Sequence, residues 1–206
     1  MKKTNKEKML SGELYTAEEP ILSKEHAEAA LFNDAFNATA FGDYEGRERL
    51  CRQRFASVGA NFTINKPAYF DYGTHIHVGN NFYANFDCVF LDVADIYIGD
   101  HCFIAPRVSF FTAGHPTDKE VRNELLEFGK PIHVGNDVWI GGGSVINPGV
   151  TIGDDVVIGS GSVVTKNIPS HVIAAGNPCR VIREISEQEK ACWRAKRDYY
   201  YQTIKK

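Results

Sequence analysis

Long apolar runs are missing from this 206-residue sequence, and none approaches the roughly 18 residues that a membrane-spanning helix needs. The first residues, MKKTNKEKMLSGELY, carry positive charge but lack the apolar stretch of a secretion signal. Low hydrophobicity combined with high net charge, which is typical of disorder, is also missing, because 43% of the residues are hydrophobic and the formal net charge is -3. We therefore expect a soluble, cytoplasmic globular protein without a membrane partner.

Cysteine pairs and the familiar catalytic motifs are absent as well. The five cysteines are odd in number, widely spaced and contain no CxxC pair, which argues against a disulfide framework and a zinc ribbon and favours reduced, buried thiols. The sequence contains no GxSxG, HExxH, GxxxxGK or GxGxxG motif. The seven histidines include no arrangement that supplies three metal ligands, so no metal is expected.

A six-residue period is the main positive feature. An aliphatic column runs without a break through Val134, Ile140, Ile146, Ile152, Ile158 and Val164. The rhythm returns upstream at Val78, Ala84, Phe90, Ile98, Ile104 and Phe110, with a two-residue slip near Leu91. Gly, Asn or Thr follows each aliphatic residue of the unbroken column, and we interpret this position as a corner that needs positive φ. The pattern predicts an all-β solenoid, a parallel β-helix of hexapeptide repeats.

Three segments depart from the period. Residues 1–58 predict an N-terminal helical segment, and residues 59–185 contain the repeats. Residues 111–131 interrupt the repeats as a protruding loop, which we call the excursion. Residues 186–206 predict a C-terminal helix that begins with a capping-box pattern. An interruption of this length in a regular solenoid points to function.

Charge and one histidine suggest where chemistry occurs. Residues 166–206 contain nine Lys or Arg against four Asp or Glu, which suits a small anionic ligand better than a nucleic-acid duplex, although a solvated helix face explains it equally well. His115 lies in Gly-His-Pro at the mouth of the excursion. It is either a proton-transfer residue or a turn histidine without a role.

Five stretches carry a resemblance to a known family: EKMLSGELY (7–15), NNFYANFDCVFLDV (80–93), GHP (114–116), GKPIHVGNDVWIGGGSVINPGVTIGD (129–154) and VVTKNIPSHVIAAGNPCRVIRE (163–184). They resemble the hexapeptide-repeat sugar O-acetyltransferases, and most closely the maltose O-acetyltransferase branch. The resemblance implies a left-handed β-helix, a homotrimer with active sites between subunits, and acetyl-CoA as co-substrate. It also implies a small-molecule sugar acceptor, and from the charge distribution described above we expect no nucleic-acid partner.

The resemblance assigns roles to individual residues. His115 corresponds to the family's general base, and Asn85 to a group that stabilises the oxyanion near the donor. Acceptor positions fall on Asp71, Tyr83 and Asp92, and Glu127 is a further candidate that either orients His115 or touches the acceptor. Donor positions fall on Asn85, Trp139, Gly142, Ser160, Thr165, Lys166, Arg180 and Arg183. Ala17 and Val93 depart from the galactoside branch, which has carboxylates there.

The leading hypothesis is an acetyl-CoA-dependent O-acetyltransferase that acts on a sugar such as maltose or glucose, at the 6-hydroxyl, by direct transfer in a ternary complex. Another hydroxylated acceptor, such as a galactoside, an oligosaccharide or a xenobiotic, is the first alternative. A metal-dependent hydratase resembling the gamma-type carbonic anhydrases is weakened by the absence of an HxxxxH spacing. A non-catalytic trimeric binding scaffold is the remaining alternative.

Overall fold

The computed structural model describes residues 2–204. Three helices come first: α1 (Asn5–Leu10), α2 (Pro20–Ala38) and α3 (Tyr44–Arg54). Nine short strands then form the first three turns of a solenoid: β1 (Ser57–Val58), β2 (Thr63–Ile64), β3 (Ala68–Phe70), β4 (Ile76–Val78), β5 (Tyr83–Ala84), β6 (Cys88–Leu91), β7 (Ile96–Ile98), β8 (Phe103–Ile104) and β9 (Ser109–Phe111).

The excursion follows with β10 (Ala113–Gly114), α4 (Lys119–Asn123) and β11 (Phe128–Gly129). The solenoid resumes with β12 (Ile132–Val134), β13 (Trp139–Ile140), β14 (Val145–Ile146), β15 (Thr151–Ile152), β16 (Val157–Ile158), β17 (Val163–Val164) and β18 (Val172–Ala175). The described chain ends with β19 (Arg180–Glu184) and α5 (Glu187–Ile204).

Three sheets run along the solenoid, and each of its first five turns contributes one strand to each sheet. Sheet 1 has the order β1-β4-β7-β12-β15, sheet 2 the order β2-β5-β8-β13-β16-β18-β19, and sheet 3 the order β3-β6-β9-β14-β17. All pairings within them are parallel except that of β18 with β19. The parallel solenoid predicted from the hexapeptide period is confirmed.

The predicted aliphatic column forms the core. Ile140, Ile146 and Ile158 have no exposed surface, and their counterparts in neighbouring turns stack on them. In sheet 3 the column becomes aromatic, because the ring of Phe90 stacks on Phe70 at 5.4 Å and on Phe110 at 5.2 Å between centroids. Inward-facing side chains therefore stack at the same position of each turn, and this stacking keeps the strands of successive turns in register.

The corner between sheets 1 and 2 corrects one expectation. The glycines that directly follow the aliphatic residues, such as Gly79 and Gly99, do not have positive φ. The left-handed positions come two residues later, at Asn81 (φ 56°) and His101 (φ 55°). A Cβ on Gly99 would lie 2.7 Å from the carbonyl oxygen of Gly135 in the next turn. Glycine is required there because stacked corners bring two backbones together.

Side chains of the same corner link successive turns. Asn80 Oδ1 accepts a hydrogen bond from the amide of Ala60 at 2.9 Å, and Asp100 Oδ1 accepts one from the amide of Asn80 at 2.6 Å. Asn136 and Asp154 repeat the arrangement two turns further on, at 2.9 and 2.7 Å. This ladder satisfies corner amides that the strands leave unpaired.

The N-terminal helices cover the open end of the prism, where β1, β2 and β3 are the edge strands. Asn33 and Asn37, one helical turn apart on α2, pair with β3 as a neighbouring strand would. Asn33 accepts from the amide of Phe70 at 2.9 Å and donates to its carbonyl at 2.7 Å. Asn37 does the same to Ala68, at 3.0 and 2.9 Å. An exposed strand edge is a template for pairing with other chains, and two side-chain amides remove it here.

Two arginines of α3 cover the other edges. Arg47 is almost fully buried, and its Nε donates to the carbonyl of Ile64 in β2 at 3.0 Å. Arg52 donates to the carbonyls of Val58 and Gly59, at the end of β1, at 2.7 and 2.6 Å. The N-terminal segment therefore contacts all three sheets through hydrogen bonds to backbone.

The C-terminal end of the solenoid is built differently from the N-terminal end. β19 folds back antiparallel onto β18, and α5 leaves the prism with no buried residue. Four of the free cysteines are buried and Cys192 of α5 is exposed. Among the described helices, none is both long enough and apolar enough to cross a membrane.

Candidate active site

His115 lies at the base of the excursion, directly after β10. The antiparallel pairing of β10 with β11 brings residues 113–114 beside residues 128–129, so the excursion closes on itself. The imidazole Nδ1 is 3.3 Å from the carbonyl oxygen of Leu126. A carbonyl only accepts hydrogen bonds, so a hydrogen bond here requires the proton on Nδ1, and in the neutral imidazole Nε2 then presents a lone pair. The side chain is 55% exposed, as a proton acceptor for an external substrate must be.

Glu127 lies beside His115, with 4.0 Å between a carboxylate oxygen and Nε2. Its backbone pairs with Tyr15 of the N-terminal segment through two hydrogen bonds of 3.0 Å. Burial, together with the Glu127 carboxylate, raises the pKa of the Tyr15 phenol above its usual range. The N-terminal segment and the excursion are therefore joined at the residue next to the imidazole.

An open cavity of about 380 Å³ contains both side chains. Its walls come from the N-terminal segment and from the excursion: Ala17, Glu18, His115, Arg122, Leu125 and Glu127. Arg122 donates to the carbonyls of Pro116 and Thr117, at 2.8 and 3.2 Å, which ties α4 to the Gly-His-Pro turn. Ala17, one of the departures noted in the sequence, thus lies in the same cavity as His115.

Asp71 follows β3 and has a partner that sequence reasoning missed. Its carboxylate lies 3.8 Å from Nδ1 of His26 on α2, and only 18% of its side chain is exposed. Burial raises the pKa of Asp71 to about 6; His26 lowers it, and the carboxylates of Asp92 and Glu127 raise it further. No motif surrounds His26, and only the docking of α2 on β3 brings it here.

Asp92 differs from the expectation. It was predicted to contact the acceptor, but it is fully buried. Its oxygens accept hydrogen bonds from the amides of Asp71, Tyr72 and His75, at 3.1, 2.9 and 3.2 Å. Asp92 therefore holds the turn that carries Asp71 and presents no surface to a substrate.

Tyr83 and Asn85 lie in and directly after β5, on sheet 2. The Tyr83 hydroxyl accepts a hydrogen bond from Asn65 at 2.9 Å. Asn85 Oδ1 accepts one from the amide of Phe86 at 2.9 Å, so the side-chain amide is oriented with its Nδ2 donor on the other side. A donor with fixed orientation is what oxyanion stabilisation requires.

The outer face of sheet 2 carries a row of residues in direct register: Tyr83, Phe103, Trp139, Val157, Ile173 and Arg183. Trp139 is 53% exposed, so its indole lies on the outer face of the sheet. Five strand spacings separate the ends of the row, a length of about 24 Å. This face is long enough for an extended ligand.

The other donor-site candidates lie around this face. Gly142 and Ser160 occupy corner turns between sheets 2 and 3, and Thr165 and Lys166 follow β17. Arg180 begins β19 and donates to the carbonyl of Cys179 at 2.8 Å. Arg183 forms a two-pronged ion pair with Glu189 at 2.6 and 3.0 Å, so a phosphate would have to displace that carboxylate.

The predicted residues thus form two groups. One lies where the N-terminal segment meets the excursion (His115, Glu127 and Asp71, with Asp92 beneath), and the other lies along sheet 2 and its flanking corners. Within residues 2–204, no hydrogen bond or ion pair joins the two groups directly. In the same part of the chain, no cluster of three or more His, Cys, Asp or Glu is arranged to hold a metal ion.

Two family profiles match the chain. One is described as bacterial transferase hexapeptide (six repeats) and matches residues 131–166. The other is described as maltose acetyltransferase hexapeptide capping motif and matches residues 8–59, the segment that covers the three strand edges. Solenoid and cap together define a hexapeptide acyltransferase.

Similar proteins of known name identify the kind of acyltransferase. Galactoside O-acetyltransferase of Escherichia coli (strain K12) is 44% identical over 97% of this chain and 95% of its own. A maltose O-acetyltransferase from Clostridium difficile 630, known from its crystal structure, is 52% identical in sequence. Its structure matches with a TM-score of 0.88, and the match covers 90% of this chain and 99% of that one. A galactoside acetyltransferase in complex with coenzyme A is 44% identical, with a TM-score of 0.88 over 92% of this chain and 94% of its own. The chain belongs to the hexapeptide-repeat sugar O-acetyltransferase family.

Proposed function

We propose that the protein transfers an acetyl group from acetyl-CoA to the 6-hydroxyl of a glucose- or maltose-type sugar. The observation that carries this proposal is the position and orientation of the His115 imidazole. Its Nδ1 is engaged by the Leu126 carbonyl, and its Nε2 faces a cavity open to a substrate. An imidazole oriented in this way can serve as a general base through Nε2.

The reaction is a direct transfer. His115 Nε2 removes the proton of the sugar hydroxyl as that oxygen attacks the thioester carbonyl, and Asn85 Nδ2 donates to the oxygen that becomes negative. When the carbon–sulfur bond breaks, the imidazolium returns the proton to the departing thiolate. Sugar ester and free CoA are the products, and no acyl-enzyme is needed. Burial raises the pKa of the Cys88 and Cys102 thiols to about 11, so neither is an activated nucleophile.

The donor binds along sheet 2 in this proposal. Trp139 flanks the pantetheine arm, Gly142 and Ser160 offer backbone contacts, and Thr165 with Lys166 meets the nucleotide end. Arg180 and Arg183 bind phosphate, with Glu189 released from Arg183. Support comes from the CoA-bound relative and from a second one, 33% identical with a TM-score of 0.82, described as complexed with acetyl coenzyme A.

We also propose a homotrimer in which sheet 2 of one subunit lies opposite the excursion of its neighbour. Phe103 and Trp139, both more than half exposed in the single chain, leave an apolar face that a partner and the donor together would cover. Five free cysteines fit a reducing compartment, and we place the protein in the cytoplasm.

The acceptor positions in this proposal are Asp71, Tyr83 and Glu127. Asp71 and Glu127 supply carboxylate oxygens, which accept hydrogen bonds from sugar hydroxyls. Glu127 touches the acceptor and does not orient the base, because the Leu126 carbonyl already holds the imidazole on its other nitrogen.

The test is release of CoA thiol from acetyl-CoA with maltose, glucose, galactosides or buffer alone. Wild type is expected to release CoA only with a sugar, and His115→Ala to lose about 10²- to 10⁴-fold in rate because the general base is gone. His77→Ala, an imidazole on the outer face of sheet 1, is the matched control and keeps the rate. Equal release by His115→Ala and wild type would overturn the proposal, as would release that no sugar increases.

A further inference from the structure

We infer that Pro116 and Leu125 are positioning residues of the reaction, because together they keep the Leu126 carbonyl free and aimed at the His115 imidazole. The inference rests on the proposed function, in which Nε2 of His115 is the general base. It adds two residues that act on the base through a backbone carbonyl.

Pro116 interrupts the hydrogen bonds between β10 and β11. At the base of the excursion, the amide of Lys130 donates to the carbonyl of Thr112 at 2.8 Å. In antiparallel strands such hydrogen-bonded pairs recur every second residue, so the register of β10 and β11 places the third pair at residues 116 and 126. There a backbone amide at residue 116 would donate to the Leu126 carbonyl. Proline has no N–H, so this carbonyl keeps its acceptor capacity.

The Leu126 carbonyl points towards His115 for a second reason. Both backbone groups of Glu127 point away from β10, because each forms a hydrogen bond of 3.0 Å with Tyr15. Backbone carbonyls alternate in direction along a strand, so that of Leu126 points towards β10. Nδ1 of His115 lies there, 3.3 Å from the oxygen. The imidazole therefore takes the place of the amide that proline lacks.

Leu125 turns the chain between α4 and β11. Its φ is 61°, and its amide donates to the carbonyl of Arg122 at 3.0 Å, which ends the helix. Among the non-glycine residues with positive φ in the described chain, Leu125 alone is apolar, and the others are Asn, Asp, His and Arg. Its side chain is 60% exposed, so packing does not impose this strained conformation. A negative φ at Leu125 would redirect the next carbonyl, which is that of Leu126.

Two substitutions of Leu125 separate the backbone conformation from the side chain. Asn adopts positive φ readily, whereas the β-branched Val rarely does. We expect Leu125→Asn to keep kcat for sugar-dependent CoA release within about twofold of wild type. Leu125→Val should lower kcat about 10- to 100-fold, because a misplaced base slows proton transfer. The KM for acetyl-CoA should stay unchanged in both variants.

Glu124→Val is the matched control for Leu125→Val. It introduces the same side chain one residue earlier, where φ is -79°, and should keep kcat. If the apolar side chain of Leu125 were what matters, Leu125→Val would be active and Leu125→Asn would not. That order would overturn the inference.

Pro116→Ala supplies the missing amide, so that the Leu126 carbonyl gains a backbone donor and His115 loses its partner. We expect kcat to fall about 10- to 100-fold. Lactic acid at position 116, the α-hydroxy analogue of alanine, has an ester oxygen in place of the N–H and should restore kcat. Both changes remove the proline ring, so equal losses would mean that ring rigidity matters and would overturn the role of the absent amide. Thr117→Ala, at the exposed next residue, is the control and keeps kcat.

Imidazole ¹⁵N spectra report the geometry without turnover. In the neutral form of wild type, we expect Nδ1 of His115 to carry the proton, with the signal assigned by its loss in His115→Ala. In Pro116→Ala and Leu125→Val the Nε2–H tautomer should gain population, because the carbonyl no longer accepts from Nδ1. An unchanged tautomer in both variants would contradict the inference.

The outcomes distinguish this inference from the proposed function. No sugar-dependent CoA release by wild type overturns the proposed function, and the ¹⁵N spectra then still decide whether the two residues hold the imidazole. Normal wild-type release with unchanged kcat in Leu125→Val and Pro116→Ala overturns the inference alone.

Discussion

At the scale of single residues, burial of the Asp71 carboxylate is expected to make the stability of the protein depend on pH. Its pKa is raised from 3.8 to about 6, chiefly by burial. The folded protein therefore holds this proton more tightly than the unfolded chain does. The resulting contribution to stability is present below about pH 4 and is lost as pH rises through about 6.

Asp71→Asn removes this dependence. Relative to wild type, the free energy of unfolding of the variant is expected to increase between pH 4 and pH 7.5, by at most about 3 kcal/mol from a shift of about two pKa units. Urea unfolding at the two pH values measures it. Asp34→Asn, on an exposed part of α2, should show no such increase. A difference that stays constant with pH would mean that Asp71 titrates normally.

The corner glycines offer a second prediction, because two of them are needed for different reasons. Gly99→Ala places a Cβ against the Gly135 backbone at 2.7 Å, so successive turns must separate. Gly143→Ala meets nothing within 4 Å but must keep φ 70°. The latter should cost about 1–2 kcal/mol of stability and the former more. Thermal unfolding compares them, and the reverse order would contradict the stacking explanation.

The roles of single residues were only partly predictable. The Gly-His-Pro turn and the outward position of Trp139 follow from local sequence. The burial of Asp92 does not, because its three amide partners lie 17 to 21 residues earlier in the chain. His26 was missed for a related reason: it belongs to a helix whose approach to Asp71 depends on tertiary packing.

At the scale of elements, helix α2 replaces a strand at the edge of sheet 3. The spacing of Asn33 and Asn37, one helical turn, matches two residues of β3, so two amides satisfy the backbone groups of Phe70 and Ala68. The hexapeptide period predicted the strands and their stacking. It contains no information about this cap, because its contacts join residues 31 to 37 positions apart and follow no repeat.

Asn33→Leu tests the cap. It leaves the amide and carbonyl of Phe70 without partners, so a loss of about 1–3 kcal/mol in the free energy of unfolding is expected. Asp34→Leu, its exposed neighbour, is the matched control and should change stability by about 0.5 kcal/mol or less. Urea denaturation measures both. Equal effects of the two variants would show that the amide pairing contributes nothing.

At the scale of the whole molecule, the separation of the two groups of site residues bears on assembly. His115 and Glu127 belong to the excursion, whereas Trp139 and Lys166 belong to the solenoid, and no direct bond links them within the described chain. If the proposed trimer places them opposite each other, each active site takes its base from one subunit and its donor surface from another.

Complementation between two inactive variants tests whether each active site is shared between two subunits. His115→Ala and a donor-face variant, Trp139→Asp with Lys166→Glu, are each expected to be inactive. Co-expressed in equal amounts, they should recover about one quarter of wild-type activity, because a quarter of randomly mixed interfaces combine two intact halves. Sites built within one chain would recover nothing. Light scattering on wild type should give three times the 23.0 kDa chain mass.

The excursion leaves the solenoid without disturbing it. Strands of adjacent turns pair Ile76 with Ile96, and across the excursion Ile96 still pairs directly with Ile132. The excursion, which carries His115 and lines its cavity, is therefore an insertion whose length does not affect strand pairing in the solenoid. A loop of another length or sequence can replace it at the same position without a change in the strand register of the solenoid. The uninterrupted register therefore lets the cavity around His115 be redesigned while the solenoid keeps its fold.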